Sequence, residues 1–348
     1  MSMNFAPTLP TKIVGYWLIT GAIVVLAMII LGGYTRLSHS GLSIVSWKPI
    51  TGIIPPLNEK EWQAEFEEYK ATPEFEFVNY DFNIQDFKSI YWPEFYHRLL
   101  GRALGIIFLI PFFVFLRKGY FKSPKIIIHL VVIFFLGLLQ GIVGWYMVKS
   151  GLVDNPSVSH IRLATHLFTA LLLYAYLIWV AIPILFPDVV NLPKTPKVIK
   201  NYTYILFTIL IIQIVFGALV AGLKAGLVFP TFPKMGAHFF PEIIGNEFER
   251  LGISALVNSP YVVQFVHRWI AAALVIGVFY LFFLMRKNNA HRSQKTIANA
   301  LLIIVCCQFI LGVLTLINMV PVSLGVLHQL FAVVLLSVFL FSFSHNRK

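Results

Sequence analysis

The sequence predicts an all-α integral membrane protein, with eight transmembrane helices arranged as two tandem, pseudo-symmetric four-helix bundles. Three observations predict it. Hydrophobic residues make up 58% of the 348-residue chain and charged residues 12%, at a mean hydropathy of +0.79, outside the range of soluble domains. Eight apolar runs, at about 13–35, 95–116, 126–148, 161–186, 203–223, 261–285, 296–318 and 322–343, each approach the roughly 20 residues a bilayer requires. The last four runs repeat motifs of the first four in the same order, as a tandem duplication does. Runs this apolar must span as helices, because lipid offers the backbone no other partner.

Lys12 leads straight into the first run, and no targeting segment is expected ahead of it. The formal net charge of +12 does not point to nucleic acid. Its lysines and arginines gather in short connections: Arg117, Lys118, Lys122 and Lys125 between runs two and three; Lys194, Lys197 and Lys200 between four and five; Arg286, Lys287, Arg292 and Lys295 between six and seven. Arg347 and Lys348 end the tail. Positive charge on one side marks it as cytoplasmic. Both termini are therefore expected in the cytoplasm of a bacterial cell, and the long loops 36–94 and 224–260 outside the cytoplasmic membrane. In the first of these, Trp62, Phe66 and Tyr69 lie at i, i+4 and i+7, the stripe of an amphipathic helix that lies on the membrane or covers the bundle. Cys306 and Cys307 are adjacent within run seven, which argues against a structural disulfide.

The repeat pairs Leu31-Gly32-Gly33 with Phe216-Gly217-Ala218, and Glu94-Phe95-Tyr96-His97-Arg98 with Gln264-Phe265-Val266-His267-Arg268. Gln140 and Gly144 pair with Gln308 and Gly312, and His166 with His328. It divides the chain into an N-terminal half, 1–190, and a C-terminal half, 191–348.

The second run opens with Tyr91-Trp92-Pro93-Glu94-Phe95-Tyr96-His97-Arg98. Pro93 suits a first helical turn, and Glu94 and His97, three apart, share a face. The competing reading of Glu94 is an interfacial helix cap. Of the ten histidines, His39, His129, His160, His238, His291 and His345 fall in loops or at ends and read as solvated. His97, His166, His267 and His328 each lie a few residues inside the outer end of an even-numbered helix. Buried imidazoles are costly unless paired or ligating. Two imidazoles facing each other across a bundle, with no cysteine or acidic cluster nearby, suit axial ligation of haem iron, whereas zinc wants three or four ligands. Gly101, Gly105, Gly141 and Gly144 leave room for close helix approach or a flat macrocycle. Among the arginines at the outer boundary, Arg98 and Arg268 directly follow candidate ligands and are the candidates for pairing with haem propionates; the alternative is interfacial snorkelling.

These motifs together resemble the haem A synthase family, including its mitochondrial members. The resemblance rests on Gly32 to Ser43, Trp62 to Tyr69, Tyr91 to Arg102, Gln140 to Leu152, Arg162 to Leu167, His267-Arg268 and His328-Gln329, and covers nearly the whole chain. It implies an enzyme that oxidises a methyl group of haem O to the formyl group of haem A for the terminal oxidase. His97 and His166 would flank the substrate haem, His267 and His328 would ligate a resident haem b, and Glu94 would be the essential carboxylate. Membrane lipid, haem O synthase, an electron-transfer protein and a second copy of the chain are the neighbours it implies. The outer-loop cysteine pairs of some bacterial members are missing here, which places any loop-dithiol mechanism in doubt. The alternative to an enzyme is a dihaem cytochrome b. Against it, Glu94 has only Gln264 as its counterpart, and an electron relay has no evident need for a carboxylate on one side.

Overall fold

A computed structural model describes residues 9–47, 52–121, 123–153, 156–187, 195–288 and 290–344. Eight helices among them are long and apolar enough to cross a membrane, and this is a multi-pass membrane protein. The spanning helices are α1 (Leu9–Leu37), α4 (Ile84–Arg117), α5 (Pro124–Lys149), α6 (His160–Leu185), α7 (Lys197–Gly222), α10 (Pro260–Lys287), α11 (Arg292–Ile317) and α12 (Val322–Ser344). The shorter α2 (Glu59–Lys70) and α3 (Pro73–Phe77) lie in the first long loop, and α8 (Ile243–Leu251) and α9 (Ala255–Asn258) in the second. Lys122, Lys194, His345, Arg347 and Lys348 lie outside the described residues.

The predicted spans agree with the helices to within a few residues, with two exceptions. Helix α7 starts six residues early. Helix α4 starts at Ile84, where the Asn83 side chain accepts from the N–H groups of Gln85 and Asp86, and Asp86 accepts in return from Asn83 N–H, a reciprocal cap. Pro93 therefore lies inside the helix and not in its first turn. Glu94 sits about three turns in, which rules out the helix-cap reading.

The extra turns of α4 exist because α2 packs on them. Trp62, Phe66 and Tyr69 are buried against Phe87, Ile90, Tyr91 and Phe95, with Trp62 and Tyr91 4.9 Å apart and edge to face. The amphipathic helix thus covers the bundle. Next to this aromatic cluster, Glu74 is 6% exposed. Tyr69 Oη donates to it at 3.2 Å and accepts from Asn79 Nδ2 at 2.8 Å. Burial pushes the Glu74 carboxyl up to about 7, against a smaller opposing effect of the Tyr69 hydrogen bond. A raised carboxyl favours the folded state below its unfolded value near 4.5 and loses that advantage as pH rises through about 7. The purified protein is expected to melt a few degrees lower at pH 8 than at pH 6, consistent with about 1–3 kcal/mol, and Glu74→Gln to flatten that difference. An unchanged pH dependence in the variant would exclude Glu74 as its source.

In the first half α1 packs extensively on α6 and α4, and α5 on α6, but α4 and α5 barely meet. In the second half α7–α10, α10–α11 and α11–α12 all pack extensively, and the sparse seam is α7–α12. That seam faces the first half, because α12 also packs on α1 and α6, and α7 on α6. Among the described residues, no other helix packs extensively on both α4 and α5 across their seam. Gln329 of α12 donates to the Ile29 carbonyl of α1 at 2.8 Å, and its side chain occupies the space a Cβ on Gly33 would need.

Candidate functional site

Each of the four half-buried histidines His97, His166, His267 and His328 packs against a glycine of a neighbouring helix. An ideal Cβ on Gly32 of α1 would meet His97 Nε2 at 3.1 Å, and one on Gly144 of α5 would meet His166 Cε1 at 3.1 Å. A Cβ on Gly217 of α7 would meet His267 Cε1 at 3.2 Å, and one on Gly312 of α11 would meet His328 Cε1 at 2.9 Å. Glycine is needed at these positions because an imidazole takes the space of its side chain. The four pairs fall at repeat-equivalent positions. His97 and His166 are brought close enough to interact electrostatically, as are His267 and His328. Of the glycines expected to leave room, Gly144 backs a histidine and Gly101 meets Met28 Cε at 3.5 Å, while Gly105 and Gly141 face open space.

Polar groups around the histidines suit a bound haem. Gln213 Nε2 lies 3.3 Å from His267 Nε2, and Gln308 Nε2 lies 3.5 Å from His328 Nε2. The Nδ1 atoms of His166, His267 and His328, Nε2 of Gln140, and Oε1 of Gln213 and Gln308 are buried with no hydrogen-bond partner among the described residues. Such groups are rare in a protein interior unless something else pairs with them. Among the described residues, no three His, Cys, Asp or Glu side chains form a metal-holding cluster, so any iron here would have two protein ligands, the number that axial ligation supplies. Gln213 escaped the sequence reading; its counterpart in the repeat is Met28, and that mismatch hid it.

Glu94 is 4% exposed and both its oxygens accept. Oε2 takes the Ser43 N–H at 2.8 Å, the Ser43 hydroxyl at 2.7 Å and the Ile44 N–H at 3.1 Å. Oε1 takes Arg98 Nε at 3.1 Å and Nη2 at 2.6 Å. Arg98 also donates to the Ile44 carbonyl at 2.7 Å and the Ser46 carbonyl at 3.1 Å. The loop after α1 is thus tied to α4 one helical turn from His97. The second half repeats the pattern: Arg268 donates to the Phe229 carbonyl at 2.5 Å and the Thr231 carbonyl at 2.8 Å, the residues that match Ile44 and Ser46. Gln264 donates to the Phe229 carbonyl at 3.2 Å. Both arginines therefore hold loops, and Nε of Arg268 is left buried without a hydrogen-bond partner among the described residues.

The remaining histidines are less uniformly solvated than their positions imply. His129 lies within α5 and bonds Tyr176 Oη at 2.7 Å, and His291 caps α11. His160 faces Asn258 at 3.1 Å. Cys306 and Cys307 are free thiols in α11.

The family described as "Cytochrome oxidase assembly protein" (COX15-CtaA) matches residues 15–340. A protein of Rickettsia bellii named "Heme A synthase" is 44% identical over 335 residues, covering 94% of this chain and 96% of its own. Proteins with that name from Flavobacterium johnsoniae and Flavobacterium psychrophilum are 41% and 42% identical, each covering 94% of this chain, and 95% and 96% of their own length. The match runs from α1 into α12 and takes in every glycine–histidine pair just described, and the chain belongs to the COX15-CtaA family of cytochrome oxidase assembly proteins.

Proposed function

We propose that this protein is a haem A synthase, an oxidoreductase that converts a methyl group of haem O to the formyl group of haem A. The observation that carries the reading is a histidine pair in each half with a carboxylate beside only one of them, Glu94 opposite Gln264. The relatives' name favours the enzyme over a dihaem cytochrome. In this reading residues 1–190 form the substrate half, where His97 and His166 flank haem O. Residues 191–348 form the resident half, where His267 and His328 ligate haem b. The asymmetry of the seams supports that assignment: a substrate has to arrive from lipid, and only the first half is open on its outer flank.

The bound haem iron supplies the redox chemistry. Oxidation of a methyl group to a formyl group removes four electrons, which an external acceptor has to take, and releases protons; Glu94 would accept one of these or stabilise positive charge near His97. Arg98 and the Ser43–Ser46 loop orient it. Gln264 keeps the shape and hydrogen bonding but cannot exchange a proton. Expression with a source of haem O followed by pigment extraction tests the reading: haem A is expected, and recovery of haem O alone would leave the cytochrome.

The termini are placed in the cytoplasm and both sites toward the outer face, on the strength of the charged short loops. Single cysteines introduced at Lys118 and Lys295 are expected to resist labelling by a membrane-impermeant reagent in intact cells; labelling there would invert the topology.

A further inference from the structure

We infer that the α4–α5 seam is a lateral slot that admits haem O from the lipid and holds its isoprenoid tail while the macrocycle sits between His97 and His166. The inference rests on the reading of the first half as the substrate half.

Both helices carry a stripe of small residues toward the bundle interior, and the upper part of the α4 stripe rests on α1, where His97 lies against Gly32 and Gly101 meets Met28. His97, Gly101, Gly105 and Phe108 follow one another at helical spacing on α4, and Gly144, Gly141, Gly137 and Phe134 on α5. The two stripes meet at the inner end, where Phe108 and Phe134 stack with centroids 6.2 Å apart. Phe112 and Phe121, 5.7 Å apart, extend the closure. Above this aromatic floor the helices separate. A Cβ added to Gly105, Gly137 or Gly141 would meet nothing within 4 Å. Eleven residues separate Phe108 from His97, which sets the aromatic floor roughly 16 Å below the histidine at 1.5 Å per residue, and the open part of that stretch lies at Gly105, because Gly101 above it meets Met28.

The slot's upper end is polar and buried. His166 Nδ1 and Gln140 Nε2 are there without a partner, and His166 lies on Gly144, at the end of the α5 stripe. One end therefore suits a metallated macrocycle and the other a hydrocarbon chain, in continuity. Haem O has that composition: a porphyrin bearing a long isoprenoid substituent that haem B lacks. The corresponding helices of the second half, α10 and α11, pack closely. A resident haem B has no such tail to accommodate and no need of a portal to lipid.

The test fills the slot. Because nothing lies within 4 Å of a Cβ at either position, Gly105→Leu and Gly137→Leu start their side chains in open space, and leucine favours a helix over glycine. The full-length protein, purified in detergent with its resident haem in place, is titrated with haem O and with haem B by absorbance. Both variants are expected to retain the resident spectrum, to bind haem O at least tenfold more weakly than the unaltered chain, and to bind haem B within twofold. Unchanged haem O affinity in both variants overturns the slot, and so does equal weakening toward both haems. If a second copy of the chain covers this seam instead, the variants change the particle mass and leave haem O affinity intact. Failure of the underlying reading has its own signature, since His97→Ala then also leaves haem O binding unaltered.

Discussion

Replacing His267 or His328 with alanine is expected to abolish the low-spin haem spectrum of the purified protein, and His97→Ala to leave it in place. In the proposed reading each of the first two changes removes one axial ligand of the resident haem. Gly312→Ala provides a finer version of the same experiment. Its Cβ would sit 2.9 Å from His328 Cε1, closer than real contacts allow, so the imidazole has to turn. Displacing a ligand in this way costs about tenfold to a hundredfold in affinity, on the scale of other changes that misalign a metal-binding side chain. Haem retention through gel filtration measures it. Should His97→Ala remove the signal and His267→Ala spare it, the two halves have been assigned the wrong way round.

Glu94→Gln should lower haem A formation by about two to four orders of magnitude, the range for loss of a positioned acid or base, with haem O accumulating and the resident spectrum intact. The structure adds a complication, because every group around this carboxylate donates to it. An amide has one accepting oxygen, so its –NH₂ must face either Arg98 or the Ser43 and Ile44 N–H groups, and part of the loop is released. Ser43→Ala separates chemistry from anchoring. It removes one donor, worth about 1.5–3 kcal/mol as a bond to a charged group, and leaves the carboxylate in place. A loss of less than tenfold in haem A is expected from it. If Ser43→Ala is as damaging as Glu94→Gln, the carboxylate serves as the anchor of the loop and not as a participant in the reaction.

The eight spans, the repeat and the four histidines were legible because each depends on a one-dimensional property. An apolar run of bilayer length can only be a helix, and a duplicated chain keeps its spacing. The start of α4 was not legible. The apolar run begins near Phe95, but the helix is carried back to Ile84 by the Asn83 cap and by the packing of Trp62 and Phe66, contacts between segments far apart in sequence. Glu74 was overlooked for the same reason: its burial comes from Tyr69 and the aromatic cluster beside it.

The sequence by itself determined that the chain is an all-helical membrane protein, and its internal repeat singled out the imidazoles and the carboxylate on which the proposed sites are built. Hydropathy, periodicity and duplication are carried by the order of residues alone. Only the tertiary structure decided that each of His97, His166, His267 and His328 rests on a glycine of another helix, that Arg98 and Arg268 hold equivalent loops, and that the halves open in different directions. These features depend on which helix faces meet across space, and on where two helices fail to meet, and the spacing of residues within one helix does not specify its partner.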